Sequence, residues 1–369
     1  MTQRAHAQDD NASGSDPEED IPGVVPDDDI RLLVGSPAAT PVFAAPRPLW
    51  LDTLSNWRTF AALDRTRPHL ADSGPPGTDV ADNDLRLRYH ALMPTVVTPA
   101  IGEALVVVHE HLLSNRERTS GKPGVIIEGP RGTGKTEIMQ YIGRHYENKI
   151  ARLYEPDENR VPVIALRVPP LTRGGRRNWP TSFASFLGLK HGGGTDPTRS
   201  ICHVMRNSST LLVLVDGIEQ LRAGADAEES FAYLEEISEK TGATFVFTGR
   251  AARSIVDPQT RDRETVLADH EEIWGDYASL RTSRIGYDTD SRKLFAKIVR
   301  GFDKHLCLHR HQPDDLTNLH DYLHRRSKGY MRALSQLVTQ GAQKAIWTKE
   351  ERITEDLLET LAIGRSRTI

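Results

Sequence analysis

Two hydrophobic rhythms alternate along the chain from residue 98 onward. Ile101, Leu105, Val108, Leu112 and Leu113 recur at helical spacing, which predicts an amphipathic helix. The turn-like "TSGKPG" then leads into a short unbroken apolar run, 125–127, that reads as a buried strand. Behind a glycine-rich loop, Ile138, Met139 and Ile142 mark the inner face of a second helix. Further strands are expected at 163–168, 211–215 and 244–247, with a helix carried by Phe231, Leu234 and Ile237 between the last two. A fifth strand is expected directly after Arg284. Such alternation implies an α/β fold: a parallel sheet covered by helices on both faces. Beyond about residue 291 every periodic segment is helical, at 294–299, 316–323, 334–346 and 354–361. A helical C-terminal subdomain is therefore expected, and no internal repeat shows at any period.

Upstream the pattern fades. Residues 1–45 are rich in Asp, Glu, Ser, Pro, Gly and Ala and too poor in apolar side chains to offset chain entropy, so a disordered tail is expected. Its "DDDIRLLVG" stretch suits either a segment that folds onto a partner or a plain solubilising tail. Residues 46–98 carry Trp50 and Trp57 and then the Pro/Gly/Asp-rich "DSGPPGTDVADND", and read as an irregular lead-in packed on the core at its aromatic points. The expected regions are thus a tail (1–45), a lead-in (46–98), an α/β core (99–290) and a helical lid (291–369).

Composition narrows the class. Apolar residues at 38% and charged residues at 27% suit a soluble chain with a real core. No apolar run approaches the ~18 residues of a membrane span, and the N-terminus lacks a basic-then-apolar signal pattern. The two cysteines, Cys202 and Cys307, lie far apart, which fits free thiols in a reducing cytoplasm. The tail holds nine acids against two bases, −7, so the remaining chain is +3 within a total of −4. A mildly positive body permits nucleic-acid contact without demanding it.

The chemistry concentrates in one octamer. "GPRGTGKT" (Gly129, Pro130, Arg131, Gly132, Thr133, Gly134, Lys135, Thr136) matches G-x-x-x-x-G-K-[ST] between a predicted strand and a predicted helix. Its glycines let backbone N–H groups cradle phosphates, and the helix N-terminus adds partial positive charge. Lys135 should reach the β- and γ-phosphates of ATP, and the Thr136 hydroxyl should ligate Mg²⁺. Asp216, ending "LLVLVD", is placed to hold the same Mg²⁺ through water; the competing reading is a helix cap. Gly217 follows where many ATPases carry a glutamate. It cannot polarise water, so slow or partner-dependent hydrolysis is expected, with Glu219 a surrogate base if the chain turns at Gly217.

Other residues extend the site. Thr248, ending "TFVFT", is a candidate to orient the lytic water, with Arg250 an alternative. In "SLRTSRIGYD", Arg284 is the candidate to reach a neighbouring subunit's γ-phosphate, in preference to Arg281, against the plain reading of a surface ion pair. Arg332, opening the helix in "GYMRALSQL", could sense phosphates from the lid. "RVPPLTRGGRRNW" sets Arg173, Arg176 and Arg177 on a glycine loop, suited to a DNA backbone or simply to solvent. "HLCLHRH" would align His305, Cys307, His309 and His311 on one strand face, but lacks the further ligands of a metal site.

In order, "RLRYHALMPTVVTP", "LLSNRER", the P-loop, "LVLVDGIEQL", "TGRAARSI" and "GYMRALSQLVTQGAQKAI" resemble the TniB/TnsC family of AAA+ ATPases over about residues 85–362. That resemblance implies an AAA+ core and lid that assemble with ATP as rings or filaments on double-stranded DNA. It further implies recruitment of an integrase-fold transposase to a marked target, with a target-selecting protein as an additional partner. Gly217 departs from the Asp-Glu usual in that family. NACHT-type STAND signalling ATPases, which show Asp-Gly-x-Asp/Glu there, are the alternative: a switch that oligomerises without DNA.

Overall fold

The unbroken apolar runs become strands buried along nearly their whole length. In the computed structural model, which describes residues 51–363 apart from 79, 81–83, 191–196, 223, 251 and 253–276, they are β1 (Gly124–Glu128), β2 (Val163–Arg167), β3 (Leu212–Asp216) and β4 (Thr244–Gly249). The acidic tail, Trp50 and part of "TGRAARSI" lie outside the described residues. A fifth strand, β5 (Tyr277–Arg281), completes a parallel sheet in the order β2-β3-β4-β1-β5.

β5 corrects the expectation of a strand after Arg284. It lies at the sheet edge and is only partly buried, so its sequence "YASLR" lacks the apolar run that betrays a central strand. Arg284 therefore follows the fifth strand. The next residue, Ile285, donates its N–H to the Gly329 carbonyl (2.9 Å) instead of to a strand.

Helices cover the sheet. In the lead-in lie α1 (Leu54–Ala61) and α2 (Leu85–Ala91), followed by α3 (Pro99–Arg116) and α4 (Lys135–Leu153). Thr98 caps α3, its hydroxyl accepting from Ile101 N–H, and Pro99 opens the first turn, where a missing N–H costs nothing. Then come α5 (Trp179–Phe186), α6 (Thr198–Asn207) and α7 (Ala225–Thr241). The C-terminal region holds α8 (Thr289–Asp303), α9 (His320–Ser327), α10 (Met331–Trp347) and α11 (Glu355–Glu359). The helix expected at 316–323 is a 3-10 turn, Thr317–Leu319, leading into α9.

The lead-in is less irregular than its composition suggests. Trp57 of α1 is fully buried against α4, its Nε1 donating to Glu147 (3.1 Å). Gly143 makes room for it: a Cβ there would stand 2.6 Å from both Trp57 and Leu214. α2 docks on the C-terminal helices instead. Arg86 makes a two-pronged ion pair with Glu351 (2.9 and 3.1 Å), and Cys307 N–H donates to His90 Nε2 (3.1 Å). Hydrophobic periodicity could not announce α2, because its buried side chains are Arg86, Tyr89 and His90.

"HLCLHRH" runs from the end of α8 through irregular backbone, not a strand, and no metal-ligating cluster occurs among the described residues. Likewise, no described helix is long and apolar enough to cross a membrane.

Candidate functional site

The C-terminal ends of β1, β3 and β4 lie in register, and there the chemistry gathers. In a parallel sheet this edge is where ligands bind, because strands feed into loops and helix N-termini on that side. Between Glu128 and Lys135 the loop turns tightly over Gly129 (φ +145°). A Cβ on Gly129 would stand 2.1 Å from the Thr282 carbonyl, so only glycine lets the segment after β5 approach. Gly134, left-handed, opens α4 without any side-chain cap, so no capping side chain occupies the first-turn N–H groups.

Lys135 Nζ donates to the Gly129 and Pro130 carbonyls, each at 2.8 Å. Burial lowers its pKa, and the carboxylates of Glu219 and Asp216 partly oppose that shift. Thr133 is tied back to the Pro130 carbonyl (2.9 Å) and to the Thr282 hydroxyl (2.7 Å). Thr136 Oγ1 donates to both oxygens of Asp216, at 3.2 and 3.1 Å. Thr248, fully buried, donates its hydroxyl to the same carboxylate. Asp216 thus joins the P-loop helix to β4 through two hydroxyls rather than capping a helix.

The chain does turn at Gly217. Its φ of +83° starts a 3-10 turn, Ile218–Gln220, while its N–H donates to the Thr248 carbonyl (2.9 Å). Glu219 is thereby returned to the end of β4, where its Oε2 accepts the Arg250 N–H (3.3 Å). Gly249 leaves room for it, since a Cβ there would meet Glu219 Oε2 at 2.8 Å and the Glu219 backbone nitrogen at 3.1 Å.

A cleft of about 1080 Å³ opens over these residues. Lys135, Asp216, Glu219, Arg250, Arg284 and Arg332 line it, and Arg131 and Gly132 stand at its P-loop wall. The C-terminal helices meet the loop directly: Arg332 N–H, at the start of α10, donates to the Gly132 carbonyl (3.0 Å). Arg332 and Arg284 are both exposed, and both line this chain's own cleft. Arg281 is instead engaged by Glu128 (2.8 Å).

Residues that sequence reasoning did not single out complete the rim. Thr282 clamps the loop through its N–H and hydroxyl, both donating to the Glu128 carbonyl (2.8 and 3.0 Å). Arg65 lines the cleft from the lead-in, its pKa pushed down to about 10 by burial and by the neighbouring Arg144. Arg144 donates to Thr95 (2.7 Å), which in turn bonds Glu137 on the first turn of α4. The only sequence signal for Thr282 would have been β5 itself.

The arginine loop divides. Arg173 and Arg176 are exposed on a turn closed by Thr172 N–H to the Arg176 carbonyl (2.9 Å), and Arg176 keeps only a loose surface pair with Glu229 (3.5 Å). Arg177 corrects the expectation of three DNA-facing cations. Its side chain is 5% exposed and committed to Asp226 (3.0 Å) and to the carbonyls of Pro169 and Gln220 (2.5 Å each). A guanidinium holding three acceptors has no donor fork to offer a phosphate.

Residues 117–253, which carry the P-loop, Asp216 and Thr248, match the AAA domain family. The fold is that of an AAA+ P-loop NTPase. Solved structures similar to this chain include domain III of the Thermotoga maritima replication initiation protein DnaA, at 15% identity over 72% of this chain and 91% of that one, with a TM-score of 0.39. The Thermotoga maritima RuvB Holliday junction branch migration motor is 12% identical over 70% of this chain and 67% of its own, with a TM-score of 0.41. AMPPCP-bound DnaA from Aquifex aeolicus is 17% identical over 73% and 68%, with a TM-score of 0.40. No curated protein matches the chain by sequence.

Proposed function

We propose that this AAA+ chain is an ATP-dependent, DNA-binding regulator of transposition, which assembles on duplex DNA and recruits an integrase-fold transposase. The observation that carries the nucleotide reading is the hydroxyl–carboxylate set of Thr136, Asp216 and Thr248 beside the Lys135 loop. The Thr136 and Asp216 oxygens fit Mg²⁺, a hard cation, and the uncapped N–H groups at the start of α4 fit a polyphosphate. Bound ATP·Mg²⁺ would supply a phosphoanhydride whose cleavage can drive a conformational switch. Lys135 and Thr136 would bind it, Asp216 would help hold the metal, and Glu219 would deprotonate a water. Thr248, buried and bonded to Asp216, would fix that carboxylate in place of orienting the water itself. Arg332 reads the phosphates from the lid, and Arg284 serves a neighbouring subunit's site.

The transposition reading is supported by the sequence resemblance and by what its quoted motifs do. Arg86 and His90 of "RLRYH" join the lead-in to the lid, and Asn115 of "SNR" is buried and bonded to Pro123 and Thr244. "GYMR" seats the lid on the P-loop. Exposed Arg173 and Arg176 are the DNA-facing residues of this reading.

Electron microscopy with a non-hydrolysable ATP analogue and random duplex DNA tests it. Rings or filaments on DNA are expected, with affinity falling steeply as salt rises. Lys135→Ala should lose nucleotide binding and assembly together. Monomers under these conditions would sink the proposal, and assembly with nucleotide but without DNA would favour the signalling switch.

A further inference from the structure

The turn bearing Arg173 and Arg176 is wired to the cleft through one side chain. Arg177 Nη1 donates to the Pro169 carbonyl, just beyond β2, and Nη2 to the Gln220 carbonyl, each at 2.5 Å. Nε and Nη2 grip Asp226 at 3.0–3.1 Å, and Asp226 also accepts the Arg222 N–H (2.8 Å). Gln220 closes the 3-10 turn that carries Glu219. That turn is held at its start by Gly217 N–H on the Thr248 carbonyl, and at its end by Arg177. On the other side, the Leu171–Arg177 bridge and the Thr172–Arg176 bond tie residues 171–177 into one small hydrogen-bonded unit. A backbone shift at Arg176 thus has a bonded route to Arg177, and one at Arg177 a bonded route to Gln220.

We propose that Arg177 is a positioning residue that couples the exposed Arg173/Arg176 turn to Glu219, so that a phosphate backbone bound at the turn sets the rate of hydrolysis in the cleft. The inference rests on the function proposed above. Arg176 is the contact that a DNA phosphate would draw away from Glu229, since that surface pair is loose and exposed. The pull would shift the carbonyl that fixes the Glu219 turn. A catalytic group misplaced by about 1 Å can lose about 100-fold in rate, so a small shift suffices.

The test uses the full chain as wild type, Arg177→Ala, Arg177→Lys and Asp226→Asn, each with and without random duplex DNA. Steady-state ATP hydrolysis, nucleotide affinity and melting temperature are read side by side. In the Arg177 variants kcat should fall about tenfold or more while KM and nucleotide affinity stay within about twofold. The response of kcat to DNA should vanish as well. Lysine should recover part of the melting temperature but little of kcat, because a point ammonium cannot span three acceptors. Asp226→Asn keeps Arg177 present but loosens its grip, and should show an intermediate kcat at a melting temperature between those of wild type and Arg177→Ala; it serves if Arg177→Ala does not fold. An unchanged kcat with an intact DNA response in folded variants overturns the inference alone. A wild-type chain that neither hydrolyses ATP nor binds duplex overturns the proposed function, and the coupling with it.

Discussion

At Gly217 the backbone takes φ +83°, and the next acid along the chain comes back to the end of β4 beside Thr248. A glutamate directly after Asp216 would have occupied a left-handed position that costs an L-residue roughly 1–2 kcal/mol. Glycine removes that cost, and the turn supplies a different carboxylate from two residues on. If Glu219 is the general base, Glu219→Gln should slow single-turnover hydrolysis by about 100-fold or more, the usual share of a positioned base. Nucleotide affinity should hold, because the P-loop donors are untouched. Quenched-flow turnover with an equilibrium titration separates the two, and an unchanged rate would remove Glu219 from the hydrolytic step. This residue pair shows what was legible in the sequence. The P-loop, Asp216 and the turn at Gly217 are local, since their conformations follow from residues within a few positions. Thr282 and the burial of Arg177 are not, because each depends on partners brought together only by the sheet.

Among the elements, α2 shows where pattern reading stops. Its buried face is Arg86, Tyr89 and His90, so its place among the C-terminal helices is fixed by polar complementarity, not by an apolar stripe. The side chains of Arg86 and Glu351 are 4% and 5% exposed, and Glu351 also accepts the His309 N–H (3.0 Å). Removing one partner leaves a charge buried without its counter-ion. Arg86→Leu should cost about 3–5 kcal/mol in urea unfolding, and Arg86→Leu with Glu351→Leu should recover much of that loss. Purely additive single costs would mean the pair is not what joins α2 to the C-terminal helices. A second joint responds to pH. Burial raises the pKa of Asp226, but the Arg177 hydrogen bonds, the Arg222 N–H and both positive charges outweigh it, and the carboxyl sits below its ordinary 3.8. A group depressed in the folded state stabilises above its unfolded pKa and loses that contribution as pH falls through the folded value. The unfolding midpoint of the wild type should therefore drop below about pH 4 more than that of Asp226→Asn, and parallel acid melts of the two chains would show it. Strand β5 escaped notice for the opposite reason to α2: an edge strand buries too little to need a continuous apolar run.

For the whole molecule, the proposed action of Arg284 on a neighbour's site has a direct test. It follows β5 on an exposed segment at the rim of its own cleft, and Arg281 beside it is already paired with Glu128. An exposed cation at the rim can act within its own chain or on a neighbour packed against that rim, and a mixture of variants discriminates. Subunits with Glu219→Gln retain Arg284 and the nucleotide-binding loop but lack the proposed base. Subunits with Arg284→Ala retain the base but lack the arginine. If Arg284 acts across a subunit boundary, each preparation alone should be nearly inactive on DNA, and mixing them should restore hydrolysis. The mixed oligomer then contains sites with Glu219 from one chain and Arg284 from the next. An arginine acting within its own chain predicts no gain on mixing, because every site would still lack one of the two groups. Arginines that stabilise transferred phosphoryl charge contribute about 10³–10⁵ in rate, so even a minority of repaired sites would be visible above either parent. Recovery that tracks the fraction of mixed neighbours as the ratio is varied would place the catalytic unit at the junction of two chains.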